Sequence, residues 1–184
     1  LAVLSLTRVP VAGEPPQETE NSWWLDVKKG VAYVWRSPML LALLTQVAVM
    51  TLFAMPYMFI LPIFAVDILR VGPAGLGWLT AAVGLGALLG ALSLASAGDM
   101  RGKGRTMLGL AILLGIMLIL FSLSRNFGLS LALLVGVGLG NQGYNSLNNT
   151  LLQLHSRPEM RGRVMSFNVA TFGLTPLGAL SMGA

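Results

Sequence analysis

Of the 184 residues, 55% are apolar and only 10% charged, and the mean hydropathy is +0.75. Soluble domains carry about a quarter charged residues, so this composition excludes a water-soluble globular domain and marks an integral membrane protein. The net charge of +5 does not signal nucleic acid, because the cations sit in short clusters beside apolar runs instead of in one stripe. With no cysteine and a single histidine, disulfides, thiol catalysis and thiolate or histidine-rich metal sites are excluded, and no cofactor is expected.

The chain opens on Leu1 without a methionine and stops at Ala184 inside an apolar run, so a piece of a longer protein is expected. Leu1 to Leu6 reads either as the last turns of a preceding span, with Arg8 and Pro10 at its exit, or as a frayed terminus. Gly13 to Glu20 is a polar, proline-containing linker, and 1–21 together are expected to hold the end of a preceding span and the central cytoplasmic linker. Over 22–37, Trp24, Val27, Val31, Val34 and Trp35 recur at helical spacing, with Asp26, Lys29 and Arg36 opposite. This pattern, after an N-cap at Ser22, predicts a short amphipathic helix lying on the cytoplasmic membrane surface.

From residue 38 onward, apolar runs alternate with short polar turns. Residues 71–98 and 106–124 hold no ionisable side chain, and roughly 20 residues cross a bilayer as helix. Five spans are predicted, at 39–66, 74–98, 106–124, 127–154 and 164–184, the last one truncated. Backbone groups in lipid must be satisfied within helices, so the fold class is all-α, a multi-pass transmembrane bundle. In the first span Pro56 and Pro62 each remove a backbone donor and predict a kink or break in its outer half. In the second, Gly86 and Gly90 form a small-xxx-small pair that lets another helix approach closely.

The loop Asp99-Met100-Arg101-Gly102-Lys103-Gly104-Arg105 joins the second and third spans. Its clustered cations are held in the cytoplasm by the positive-inside rule. Placing this hairpin and 155–163 inside leaves only Arg70 and Arg125, of the 12 basic residues, outside. Asp67, three residues before Arg70, is expected to pair with it at the outer boundary.

The fourth span carries the most informative pattern. At 100° per residue, Gln142, Asn145, Ser146, Asn149 and Gln153 fall within about 60° of one direction. Such a polar row is costly against lipid and faces either a water-filled, substrate-binding cavity or another helix that it holds by hydrogen bonds. In the first span Gln46, Met50, Phe53 and Tyr57 share a face, which suits either a bulky amphipathic ligand or simple packing. Asn168, Thr171 and Thr175 fall together on the fifth. No carboxylate lies mid-span, so a coupling group for proton-driven transport would lie elsewhere, with Asp67 at the outer boundary the nearest candidate if it is not held in the ion pair.

Two motifs mislead. Gly138-Leu139-Gly140-Asn141-Gln142-Gly143 matches a dinucleotide-binding fingerprint but lies inside a continuous helical run with no strand before it. His155 has no acid or nucleophile at triad spacing and caps the basic end of its span. No cluster of nucleophile, base and acid appears at matched depth, which argues against an enzyme.

The order of these elements resembles the C-terminal six-helix half of a major facilitator superfamily transporter. Within that superfamily it is similar to the bacterial drug and siderophore exporter branch, to which the enterobactin exporter belongs. The likeness rests on Asp99-Met100-Arg101-Gly102-Lys103-Gly104-Arg105, where Met100 replaces the family's usual arginine. It rests also on Arg36-Ser37-Pro38, Leu151-Leu152-Gln153, Pro158-Glu159, Arg161-Gly162-Arg163-Val164-Met165-Ser166 and Pro176-Leu177-Gly178.

The resemblance implies a proton-coupled efflux transporter of the bacterial inner membrane for an amphipathic small molecule. Its partners would be the substrate, protons, the lipid bilayer and an N-terminal half of the same protein. Gln46, Phe53, Tyr57, Gln142, Asn145, Ser146, Asn149 and Gln153 would line the cavity. Asp99, Arg101, Gly102, Lys103 and Arg105 would form a gating loop. The alternatives are a non-transporting membrane scaffold and the membrane part of a lipid-modifying or lipid-flipping protein.

Overall fold

A computed structural model describes residues 22–98, 102–173 and 175–176. The expected connection at 1–21, the hairpin residues Asp99, Met100 and Arg101, and 177–184 of the fifth span lie outside the described residues. Every regular element among the described residues is helical: α1 (Ser22–Arg36), α2 (Pro38–Phe53), α3 (Tyr57–Ile63), α4 (Gly72–Ser96), α5 (Lys103–Leu123), α6 (Phe127–His155) and α7 (Arg161–Phe172). The protein is an all-α helical membrane protein. Three segments, Pro38–Ile68, Gly72–Ser96 and Lys103–Leu123, are long and apolar enough to cross a membrane. At 29 residues α6 is also long enough, and it differs from them through the asparagines and glutamines that begin at Asn141.

The first apolar segment breaks where its prolines stand. Pro56 has no N–H to continue α2, so Ala54 and Met55 both turn back onto the Met50 carbonyl, at 2.8 and 3.2 Å, and α3 restarts from Pro56. Pro62 then removes a second donor inside α3, and the chain widens into a π-helical turn over Phe64–Ile68. Arg70 follows with φ 53 and directs the chain into α4. Asp67 and Arg70 are both exposed, and among the described residues they do not form the expected ion pair.

α6 is the centre of the bundle, with α4 and α5 packed along it more extensively than any other pair of helices. Lipid tails are as apolar as leucine, so helices in a membrane are held by close packing and hydrogen bonds instead of by escape from water. Glycine supplies the closeness. A Cβ on Gly86 would meet the Val135 carbonyl, one on Gly90 would lie 2.7 Å from the Leu139 carbonyl oxygen, and one on Gly138 would meet the Val83 carbonyl. On the other flank of α6, a Cβ on Gly140 would come within 3.2 Å of the Leu110 carbonyl oxygen of α5. The glycines that mimic a nucleotide-binding fingerprint are therefore contact points between helices.

Two apolar clusters fill the bundle. One joins Leu40, Leu43 and Val47 of α2 to Met107, Tyr144, Leu152 and Val164. The other joins Leu61, Phe64 and Leu79 to Leu114, Leu134 and Val137, with the Phe64 and Phe121 rings 4.5 Å apart. α1 docks on the starts of α2 and α7. Val34 is buried, Gly30 faces the Phe167 ring, and the Tyr33 hydroxyl accepts the Arg157 N–H at 3.1 Å.

Candidate functional site: the amide row of α6

The register of α6 is set at its start, where the Asn126 side chain accepts from the N–H groups of Gly128 (2.9 Å) and Leu129 (3.2 Å). From that cap, Leu134, Val137, Gly138, Tyr144 and Leu152 turn into the packed bundle and are buried. Gln142, Asn145, Ser146 and Asn149 are half-buried, and Gln153, in the last turns, is exposed. The helix with the most crowded surroundings thus keeps one partly open side, and that side carries the amides.

The row is internally hydrogen-bonded. Asn145 Nδ2 donates to the Asn141 backbone carbonyl and to Asn141 Oδ1, each at 2.9 Å, and Gln142 Nε2 reaches Ser146 Oγ at a long 3.5 Å. These bonds stay within α6 and bind no second helix. Asn149 differs. Asn168 of α7 donates to Asn149 Oδ1 at 2.9 Å and accepts from Asn148 Nδ2 at 3.3 Å, so one buried amide clasps two consecutive residues of α6. Thr171 turns back onto the Asn168 carbonyl at 2.6 Å, and Thr175 caps the Phe172 carbonyl at 2.6 Å.

The first segment contributes less than its sequence suggests. The face shared by Gln46, Met50, Phe53 and Tyr57 presumes one continuous helix, but the turn at Ala54 to Pro56 interrupts the register between Phe53 and Tyr57. Gln46 and Tyr57 are half-buried, while Phe53 is 70% exposed. Below the row, Lys103 lines a cavity of about 320 Å³ together with Ala91, Ala95, Ser146 and Thr150. This cavity brings Lys103, at the end of the basic hairpin, to Ser146 of the amide row. Gly102, with φ 88, supplies the left-handed turn that starts α5, and Arg105 is exposed.

The family model for the Major Facilitator Superfamily matches residues 1–179. The chain belongs to that superfamily. Membership points to a transport protein and not to an enzyme. Over 186 aligned positions this Major Facilitator chain is 28% identical to the multidrug efflux pump Tap of Mycolicibacterium fortuitum. The match covers all of this chain but 45% of the pump, so the chain spans about half the length of the curated relative it matches. No solved structure matches it.

Within this superfamily chain, sequence reasoning passed over Asn141, the acceptor for Asn145, and Asn148, the second residue in the Asn168 clasp. Asn141 stands just one turn before Asn145, a spacing at which side chains meet. Asn148 points away from the row, so angle alone does not find it. The available signal was the pair Asn148-Asn149 in a span opposite a single mid-span asparagine, Asn168.

Proposed function

We propose that this chain is the C-terminal half of a proton-coupled efflux transporter that exports an amphipathic small molecule, such as a drug or siderophore, from the bacterial inner membrane. The observation that carries the reading is the half-buried amide row Gln142, Asn145 and Ser146, on a helix whose other sides are tightly packed. Its hydrogen bonds close within α6, so it does not serve to glue helices, and a polar side at membrane depth that binds no neighbour suits water and cargo. The match to a multidrug efflux pump supports the direction of transport.

In this reading Gln46, Gln142, Asn145 and Asn149 offer amides to polar groups of the substrate, and Phe53 and Tyr57 supply apolar surface. Loops 99–105 and 155–163 are cytoplasmic. Asp99, Arg101, Gly102, Lys103 and Arg105 lock the ends of the second and third spans in one state, and the cavity between Lys103 and Ser146 links that lock to the row. The two halves of the whole protein rock around a midplane site. The coupling proton binds to a group beyond the spans described.

The test uses the full-length transporter. Asn145→Leu and Gln142→Leu, neither of which removes a bond between helices, lower export of a fluorescent amphipathic substrate at least fivefold with unchanged membrane insertion. Export at the wild-type rate in both variants eliminates the cavity role. Single cysteines at the same positions react with a water-soluble maleimide if the row is wet, and unreactive positions favour the scaffold alternative.

A further inference from the structure

The apolar side of α1 is only partly covered by the bundle. Gly30 and Val34 pack against it, but Val31 and Trp35 remain 39% and 71% exposed. Lys28, Val31 and Trp35 follow one another at helical spacing along this uncovered strip. Beneath the strip lies an apolar groove of about 350 Å³, walled by Val31 and Trp35, by Leu44 of α2 and by Phe167 and Ala170 of α7. A second hollow of about 370 Å³ shares Val31 and Trp35 with it and opens onto Lys28.

The groove has a direction. It runs from Val31, Val34 and Trp35 of α1 to Leu44 of α2 and to the turn Phe167, Ala170 and Thr171 of α7. Its wall is apolar except for Thr171, and Lys28 stands in the adjoining hollow, across the shared Val31 and Trp35. An apolar slot with a lysine in the adjoining hollow complements a molecule with one apolar tail and an anionic head.

We propose that this groove binds one anionic phospholipid, with an acyl chain along Val31, Trp35, Leu44 and Ala170 and the phosphate at Lys28. An indole at the level where the chain meets the headgroup suits an amphipathic ring at the membrane boundary. The site holds α1 in place through lipid, in addition to its contacts with α7. The proposal is independent of what the protein transports.

Quenching of Trp35 fluorescence by lipids brominated on their acyl chains tests it. The full-length protein is reconstituted in phosphatidylcholine with rising fractions of brominated phosphatidylglycerol or of brominated phosphatidylcholine. The Trp35 contribution is the difference between wild type and Trp35→Phe. Half-maximal quenching by the anionic lipid is expected at a mole fraction at least fivefold below that of the zwitterionic one. Lys28→Glu abolishes the preference and Lys28→Arg keeps it. Ala170→Phe, which fills the groove, weakens the quenching itself. Equal half-points for the two lipids would mean ordinary surrounding lipid and overturn the proposal. Absence of quenching by either would mean that protein covers the groove and would overturn it equally.

Discussion

Replacing Gly90 by alanine introduces a Cβ 2.7 Å from the Leu139 carbonyl oxygen and 3.2 Å from Leu139 Cα, where ordinary contact begins near 3.4 Å. The obstacle is helix backbone, which cannot swing aside as a side chain would, so α4 and α6 must part by about 0.7 Å. Gly86 against Val135 and Gly138 against Val83 belong to the same seam. A gap of about 0.5–1 Å there forfeits a quarter to a half of each dispersion contact, and overpacking of this kind costs about 1–3 kcal/mol. Gly109 of α5 is the control, because a Cβ there meets nothing within 4 Å, and alanine gains up to about 1 kcal/mol in helix propensity. That propensity gain is common to both helices and cancels, so the two Gly→Ala variants should differ by about 1–3 kcal/mol. Titration of the purified full-length protein with sodium dodecyl sulfate, followed by tryptophan fluorescence, measures the difference. Gly90→Ala and Gly109→Ala agreeing within about 0.5 kcal/mol, the usual range for surface changes, would refute the tight α4–α6 seam.

Three further outcomes follow from single contacts. Asn168→Leu removes both bonds of the clasp and leaves the Asn148 amide buried without them, at a cost of about 1–3 kcal/mol; adding Asn148→Leu should recover part of it, a non-additivity that a double-mutant cycle resolves. Asn126→Ala removes the two cap bonds of α6 and costs about 1 kcal/mol, with faster hydrogen exchange at Gly128 and Leu129 as the local signature. Gly102→Val forces a β-branched residue to φ 88 and lowers thermal stability by about 1–2 kcal/mol, whereas Gly104→Ala, with open space around it, does not.

Much of this molecule is written locally. Charge-free runs dictate helices in lipid because no other partner exists there for the backbone. Pro56 and Pro62 mark the break and the π-helical turn because a missing N–H acts on its own turn. The alignment of Gln142, Asn145, Ser146 and Asn149 follows from the helix period alone. Tertiary structure decided what those local features meet. Gly86 and Gly90 declare that something comes close, but only the packed bundle shows that it is the Val135 to Leu139 turn of α6. Asn149 shares a face with Asn145, yet one bonds to α7 and the other only within its own helix. The amphipathic strip of α1 divides between protein and an open groove because α7, more than a hundred residues later, covers just one edge of it. A helix period fixes the direction of a side chain about its own axis. Which neighbour stands in that direction depends on how distant helices cross, and no local pattern encodes that crossing.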